Sequence, residues 1–325
     1  MPGAFSFPLF NDGERAIIGT VYKQESKAAA VKIGLDFFGP KMRKMVEEVE
    51  KLTSVHGAPY ETTVLLYCWR GGMRSDGVAW LLDLYGFKVY KLQGGYKTFR
   101  HWVLNQFEKS YALRLVGGNT GSGKTYLLHE LMKQGQKVID LEGLASHKGS
   151  AFGNIGMPDQ PSQEMFENKL ALELHYMNAS NQIIWLEDES QRIGTVNIPL
   201  SLWQTMLLSP VYFLDIPFDE RLNFIEKEYG QLDKERLVNA IIRIKKRLGG
   251  LETKNAIHFL IENNVRESFR ILLKYYDKSY QKSLHKKENL SALLTIIPCE
   301  KVDPITNASK MVSDKDFSKQ SLDTK

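Results

Sequence analysis

The sequence predicts an α/β protein of two successive units with mainly parallel sheets, the second continuing into a helical region. Three observations carry that expectation. Strand-sized apolar runs alternate with helical patterns twice along the chain, two glycine-rich turns each join such a run to a helix, and no proline occurs between Asp219 and Ile297. At 325 residues, 43% of them hydrophobic and 25% charged, the chain has an ordinary globular composition and more length than one core comfortably uses.

The first unit is expected over residues 1–108. Ala28 to Leu52 reads as mostly helical with a break near Gly39-Pro40, and Thr63 to Trp69 reads as a buried strand. After a glycine-rich turn, Asp76 to Tyr85 reads as a helix closed by Gly86, Lys88 to Leu92 as a strand and Tyr96 to Phe107 as a helix. The second unit, 109–300, opens with a strand at Leu113 to Gly117 and a helix from Gly123 to Lys133, ended by Gly135. Lys137 to Leu141, Gln182 to Leu186 and Val211 to Asp215 are further strands, and the proline-free stretch Asp219 to Ile297 is read as helical. The polar segment 301–325 is expected to be a disordered tail.

Composition removes several classes of function. No run approaches the roughly 18 consecutive apolar residues of a membrane-spanning helix, and the N-terminus lacks the pattern of a secretory signal, so a cytoplasmic protein without membrane contact is expected. Two cysteines, Cys68 and Cys299, cannot form a disulfide framework, and each is either a buried apolar residue or a reactive thiol. Forty-three Lys plus Arg against 38 Asp plus Glu leave a net charge of +5, which permits a polyanionic partner.

The segment Gly118-Asn119-Thr120-Gly121-Ser122-Gly123-Lys124-Thr125 has the form G-x-x-x-x-G-K-[ST] between a predicted strand and a predicted helix. Gly118, Gly121 and Gly123 let successive N–H groups turn inward at phosphate oxygens, Lys124 adds a point charge, and Thr125 can ligate Mg²⁺. Such a loop specifies a phosphate or diphosphate and leaves the rest of the ligand open. Ile183 to Leu186 followed by Glu187-Asp188-Glu189 looks like a buried strand delivering carboxylates to the same edge, with Asp188 the first choice for phosphate or metal and Glu187 the next. Asp140, Glu142 and the glycine-rich 147–153 are further candidates there.

Cys68-Trp69-Arg70-Gly71-Gly72-Met73-Arg74-Ser75 joins a strand to a helix, which places the thiol in a cup of N–H groups at a helix N-terminus. Arg70 and Arg74 would lower the thiol pKa and hold an anionic donor, as a nucleophilic cysteine requires. The spacing Cys68-x5-Arg74 suits both rhodanese-type sulfurtransferases and cysteine-dependent phosphatases. Its length leans toward phosphatase, Tyr67 in place of the usual His leans against it, and the fused phosphate-loop unit decides for the sulfurtransferase.

Together CWRGGMRS (68–75), LQGGYKTFR (92–100), GGNTGSGKT (117–125), DLEGLASHKGSAFG (140–153), FEN (166–168), WLEDESQRIG (185–194) and RIKKRLGG (243–250) resemble the bacterial tRNA 2-selenouridine synthase family. The resemblance implies a rhodanese-like domain before a P-loop domain. It also implies conversion of wobble 2-thiouridine in tRNA to 2-selenouridine, by S-geranylation from geranyl diphosphate and then selenium transfer from selenophosphate. Cys68 would serve selenation and residues 118–125 geranylation. Geranyl diphosphate and selenophosphate would be co-substrates, with Mg²⁺ at Thr125 and Asp188 and no tightly bound cofactor. A rhodanese domain normally has an earlier strand with an Asp-x-Arg-like segment, which the resemblance would place before Met1.

For the tRNA, Arg266, Arg270, Lys274, Lys278, Lys282 and Lys286 recur at every fourth residue with Tyr275, Tyr276 and Tyr280 among them, and Arg243, Lys245, Lys246 and Arg247 form a second cluster. Backbone contacts with occasional base stacking are expected, chiefly at Arg243, Lys246, Arg247, Lys274, Lys278 and Lys282. Two other functions fit the two loops: an ATP-dependent kinase fused to a sulfurtransferase, and a non-catalytic RNA-binding adaptor.

Overall fold

The computed structural model describes residues 1–53, 62–178, 182–284 and 290–313, and the chain divides into a unit at Met1–Trp102 and a unit at Val103–Lys325. The first unit begins with helices α1 (Asp12–Gln24), α2 (Lys27–Phe38) and α3 (Met42–Thr53), the last two separated by a 3₁₀ turn at Gly39–Lys41 where Gly39-Pro40 was expected to break the helix. The sequence reading did not include α1. It is held by a reciprocal cap in which Asn11 accepts from the Glu14 N–H while the Glu14 carboxylate accepts from the Asn11 N–H. Then follow β1 (Thr63–Leu66), α4 (Met73–Tyr85), β2 (Lys88–Lys91) and α5 (Gly95–Gln106).

β1 and β2 pair in parallel, Thr63 opposite Lys88 through Leu66 opposite Lys91. Beneath them Phe38, Met45, Val46, Val49, Val78, Leu82 and Phe87 form one core. Gly86 ends α4 in the left-handed region, its N–H returning to the Leu82 carbonyl, so the chain reverses directly into β2.

The second unit runs β3 (Leu113–Gly118), α6 (Lys124–Lys133), β4 (Lys137–Val138), α7 (Leu141–Ala145), α8 (Gln163–Asn178) and β5 (Ile184–Glu187). A short antiparallel pair, β6 (Arg192–Ile193) and β7 (Val196–Asn197), leads to α9 (Leu200–Leu207) and β8 (Val211–Asp215). Then come α10 (Phe218–Tyr229), α11 (Lys234–Leu248), α12 (Gly250–Ile261), α13 (Val265–Leu284), α14 (Leu290–Leu293), β9 (Leu294–Pro298) and α15 (Pro304–Ser313).

The sheet has the order β4-β5-β3-β8-β9 with every pairing parallel. All residues of the central β3 and its neighbour β5 are buried, with no in–out alternation, as expected of strands covered on both faces. Leu127, Leu128 and Leu131 of α6 pack with Val116, Trp185, Tyr212, Ala308 and Met311 in one core. The helices α10 to α13 share a separate core that includes Leu222, Leu237, Ile241, Phe269 and Leu273.

Two expectations are corrected. The helical reading of Asp219 to Ile297 holds for α10 to α13 but not for Leu294–Pro298, which is the edge strand β9 beside β8. Its short, half-exposed pattern gives no periodicity to separate it from a helix. The tail expected to be disordered from 301 contains α15, which starts with Pro304 at its first turn and Asp303 accepting from the Ile305 and Thr306 N–H groups. Ala308 and Met311, three apart, are buried, and this narrow stripe was hidden in a polar composition. Residues 314–325 lie outside the described residues.

Candidate functional sites in the two units

In the first unit the cysteine loop rests on backbone. The N–H groups of Tyr96 and Lys97 donate to the carbonyls of Cys68 and Trp69 at 2.9 and 3.0 Å. Gly95 has φ +64, and a Cβ there would stand 2.2 Å from the Cys68 carbonyl oxygen, so the second glycine of LQGGYKTFR is demanded by this close approach. The half-buried Cys68 Sγ lies 3.4 Å from the Ser75 hydroxyl. Burial pushes the thiol up, but the Ser75 hydroxyl and the backbone N–H groups of Gly72, Arg70 and Ser75 outweigh it and bring the pKa down to about 7.

The sequence assigns that lowering to the N–H cup and, beyond it, to Arg70 and Arg74. Their side chains are exposed, and the lowering comes from Ser75 and the loop backbone. Ser75 was missed, although its place three residues into the segment after Gly72, at the start of α4, is the signal that could have found it. Cys299 is the inert kind of cysteine, buried and donating to the Ile297 carbonyl, with burial raising its pKa.

In the second unit the phosphate loop leaves β3 and enters α6, with Gly118, Gly121 and Gly123 all at positive φ. A Cβ on Gly121 would stand 2.8 Å from Ile225, so the loop fits tightly under α10. Arg221, almost fully buried, holds it from that side. Nη1 donates to the Thr120 carbonyl at 3.0 Å, and the guanidinium forms a two-point ion pair with Asp277 at 2.9 and 2.7 Å. Lys124 folds back onto the Gly118 carbonyl at 3.1 Å, leaving its ammonium beside the loop.

The loop opens into a cavity of about 1190 Å³. One wall is acidic and polar: Asp140, Glu142, Asp188 and Glu189. The Thr125 hydroxyl donates to Glu142 at 2.8 Å, and Asp188 accepts from the Tyr280 hydroxyl at 2.8 Å. Burial raises the Glu142 pKa against the pull of Lys124 and Thr125, and burial with the Glu142 charge raises that of Glu189. Glu187 is not at the wall. It is fully buried, accepts from the Leu141 N–H at 2.9 Å, and is held well above the usual carboxylate range by burial, then by Asp140 and Glu142. Glu189, named in the same acidic run but ranked behind Asp188 and Glu187, lines the cavity in its place.

A second wall is apolar and comes from Met157, Trp203, Met206 and Leu207. A third carries Arg243 and Arg247 from α11 with Tyr275 and Tyr276 from α13. The tyrosines expected to interleave with the α13 charges thus turn into the cavity, where the Tyr276 hydroxyl accepts from the Ala151 N–H. Lys274, Lys278, Lys282 and Lys246 are exposed. Arg266 pairs with Glu226, and Arg270 with Glu267 and Asp219, so the expected six-residue band narrows to the three lysines, with Lys286 outside the described residues.

Among the described residues no group of three or more His, Cys, Asp or Glu is arranged to hold a metal ion. The donors beside the loop, Thr125 and Asp188, are hard oxygens of the kind Mg²⁺ takes when phosphate and water complete its shell.

Residues 111–295 match the family described as the tRNA 2-selenouridine synthase AAA domain. The chain belongs to the tRNA 2-selenouridine synthase family. A family member from Pseudomonas putida is 34% identical over 86% of this chain and 82% of its own, and one from Hydrogenovibrio crunogenus is 35% identical over 88% and 85%. Another, from Sulfurovum, is 32% identical over 90% of this chain and 86% of its own. A solved structure, the N-terminal domain of a Clostridium difficile protein described as ATP/GTP binding, aligns with 32% of this chain at a TM-score of 0.29, a likeness too slight to bear on the fold. The family match covers the phosphate loop, its cavity and all of α13, while the cysteine loop lies within the length shared with the full relatives.

Proposed function

We propose that the chain converts wobble 2-thiouridine in tRNA to 2-selenouridine in two steps, using its two sites separately. The observation that carries this reading is that one cavity joins a phosphate loop, an apolar wall and a wall of arginines and tyrosines. A prenyl diphosphate meeting an RNA base has a use for all three.

In the first step the loop N–H groups and Lys124 hold the diphosphate of geranyl diphosphate, and Met157, Trp203, Met206 and Leu207 shelter its hydrocarbon chain. The sulfur of 2-thiouridine attacks the first prenyl carbon, a C–S bond forms as the C–O bond breaks, pyrophosphate leaves with the electron pair, and the N3 proton of the base passes to solvent. Charge develops on that leaving group, so donors already aimed at it lower the barrier. A Mg²⁺ held at Thr125 and Asp188 would add to this stabilisation. Arg243 and Arg247 meet the RNA backbone near the reacting base, and Lys246, Lys274, Lys278 and Lys282 extend the contact outside the cavity.

In the second step the selenium of selenophosphate adds at C2 of the base, the geranylthio group takes a proton and departs as the thiol, and water cleaves the Se–P bond to release phosphate. Cys68, with Arg70 and Arg74 to hold the anionic donor, serves this exchange; a pKa of about 7 gives a substantial thiolate fraction at neutral pH. Both steps place the protein with its tRNA in the cytoplasm.

Purified protein, thiolated tRNA and geranyl diphosphate should yield S-geranylated tRNA without ATP, read by mass spectrometry of the nucleosides. Phosphoryl transfer from ATP with no prenylation would replace this reading with a kinase, and tRNA binding without turnover would leave an adaptor.

A further inference from the structure

The phosphate loop is completed from far along the chain. Tyr280, on α13, donates its hydroxyl hydrogen to Asp188 at 2.8 Å and accepts the N–H of Gly118, the first residue of the loop, at 3.3 Å. One hydroxyl thereby ties the start of the loop to the carboxylate at its edge. A phenol keeps its proton at neutral pH, so the hydroxyl can donate to one partner while it accepts from the other. Its ring packs against Phe213 of β8 with centroids 5.9 Å apart.

Space for it depends on Gly117, which lies outside the phosphate-loop motif and is not explained by it. A Cβ there would stand 3.0 Å from the Tyr280 oxygen and 2.8 Å from Val211. One helical turn earlier, Asp277 takes the two-point ion pair from Arg221, the residue that also holds the Thr120 carbonyl. Two residues three apart on α13 therefore grip the loop at two places, while Lys274, Lys278 and Lys282 of the same helix stand exposed.

We propose that Tyr280 is a positioning residue of the diphosphate site, setting through one hydroxyl both the opening of the loop and the direction of the Asp188 carboxylate. The proposal rests on the reading that the loop holds a diphosphate. A carboxylate fixed by a neighbouring donor loses less freedom when it takes a cation or a water bound to one, and losing such a donor typically weakens metal-dependent binding by about 10-fold or more. The helical region then belongs to the site itself.

The test is calorimetric titration of the full chain with inorganic pyrophosphate and MgCl₂, using wild type, Tyr280→Phe, Asp188→Ala and the double variant. Phe keeps the ring against Phe213. The single changes should each weaken binding roughly tenfold, and the double variant should lose clearly less than the product of the two, because both act through one linkage. In prenyl transfer, Tyr280→Phe should raise KM for the diphosphate more than it lowers kcat. Equal affinity in wild type and Tyr280→Phe, or losses that multiply in the double variant, would overturn the proposal while leaving the diphosphate reading intact. A wild-type protein that binds no pyrophosphate would overturn both.

Discussion

The cysteine loop and the phosphate loop are each a glycine-rich turn between a parallel strand and a helix, yet they are finished in different ways. The first is nearly self-sufficient. Its cup consists of its own N–H groups and Ser75, seated on the two glycines that follow β2, and Arg70 and Arg74 stand out in solvent. The second is assembled: Arg221 of α10, Glu142 of α7, Asp188 after β5 and Tyr280 of α13 each contribute a side chain. A thiolate needs a local field, which a single turn supplies. A diphosphate with a prenyl tail needs a volume with differing walls, and that takes several elements.

Changes at the two loops should therefore fail differently. The largest effect is expected from Lys124→Ala, which removes the point charge beside the loop; pyrophosphate affinity and prenyl transfer should fall roughly 10- to 100-fold, as measured by calorimetry and steady-state rates. Unchanged values would reduce the loop to a turn. Next, Trp203→Ala should weaken geranyl diphosphate binding about tenfold, through lost apolar burial, while inorganic pyrophosphate binds as before. Equal losses for the two ligands would show that the apolar wall supports the fold instead of a chain.

At the cysteine loop, Ser75→Ala should move the pH midpoint of Cys68 alkylation upward from about 7 toward the ordinary thiol value of 9.0 and slow alkylation at neutral pH several-fold. The sign follows from a lowered folded-state pKa: the stabilised thiolate persists above that value and is lost as pH falls through about 7. A midpoint that moved instead on Arg74→Ala would return the control to the arginine. The smallest expected effect is that of Lys274→Gln, Lys278→Gln and Lys282→Gln combined, which should make the slope of log K for tRNA against log salt shallower by up to about two units. An unchanged slope would place the tRNA elsewhere.

How much of this was legible in the sequence follows the same division. Both loops could be read, because turn glycines, a thiol and a Lys-Thr pair at fixed spacing are local signals. Of the cavity walls, Asp140, Glu142 and Asp188 could be named from the strand ends, but the apolar side chains could not. Glu189 and Glu187 are two residues apart, yet only the pairing of β5 with β3 and β4 determines which is buried and which lines the cavity. Tyr280 read as one aromatic in a basic helix, and its role depends on a hydrogen bond 162 residues away in sequence. The edge strand β9 and helix α15 escaped because each rests on one or two buried apolar side chains.

The central claim is that the two loops perform successive steps on one tRNA, and nucleoside mass spectrometry of tRNA from cells lacking this gene, supplied with wild type, Cys68→Ser or Lys124→Ala, tests it most directly. Cys68→Ser should leave S-geranyl-2-thiouridine without 2-selenouridine, and Lys124→Ala should leave 2-thiouridine with little of either product. The same nucleoside accumulating in both variants, with both proteins folded, would contradict the division of labour.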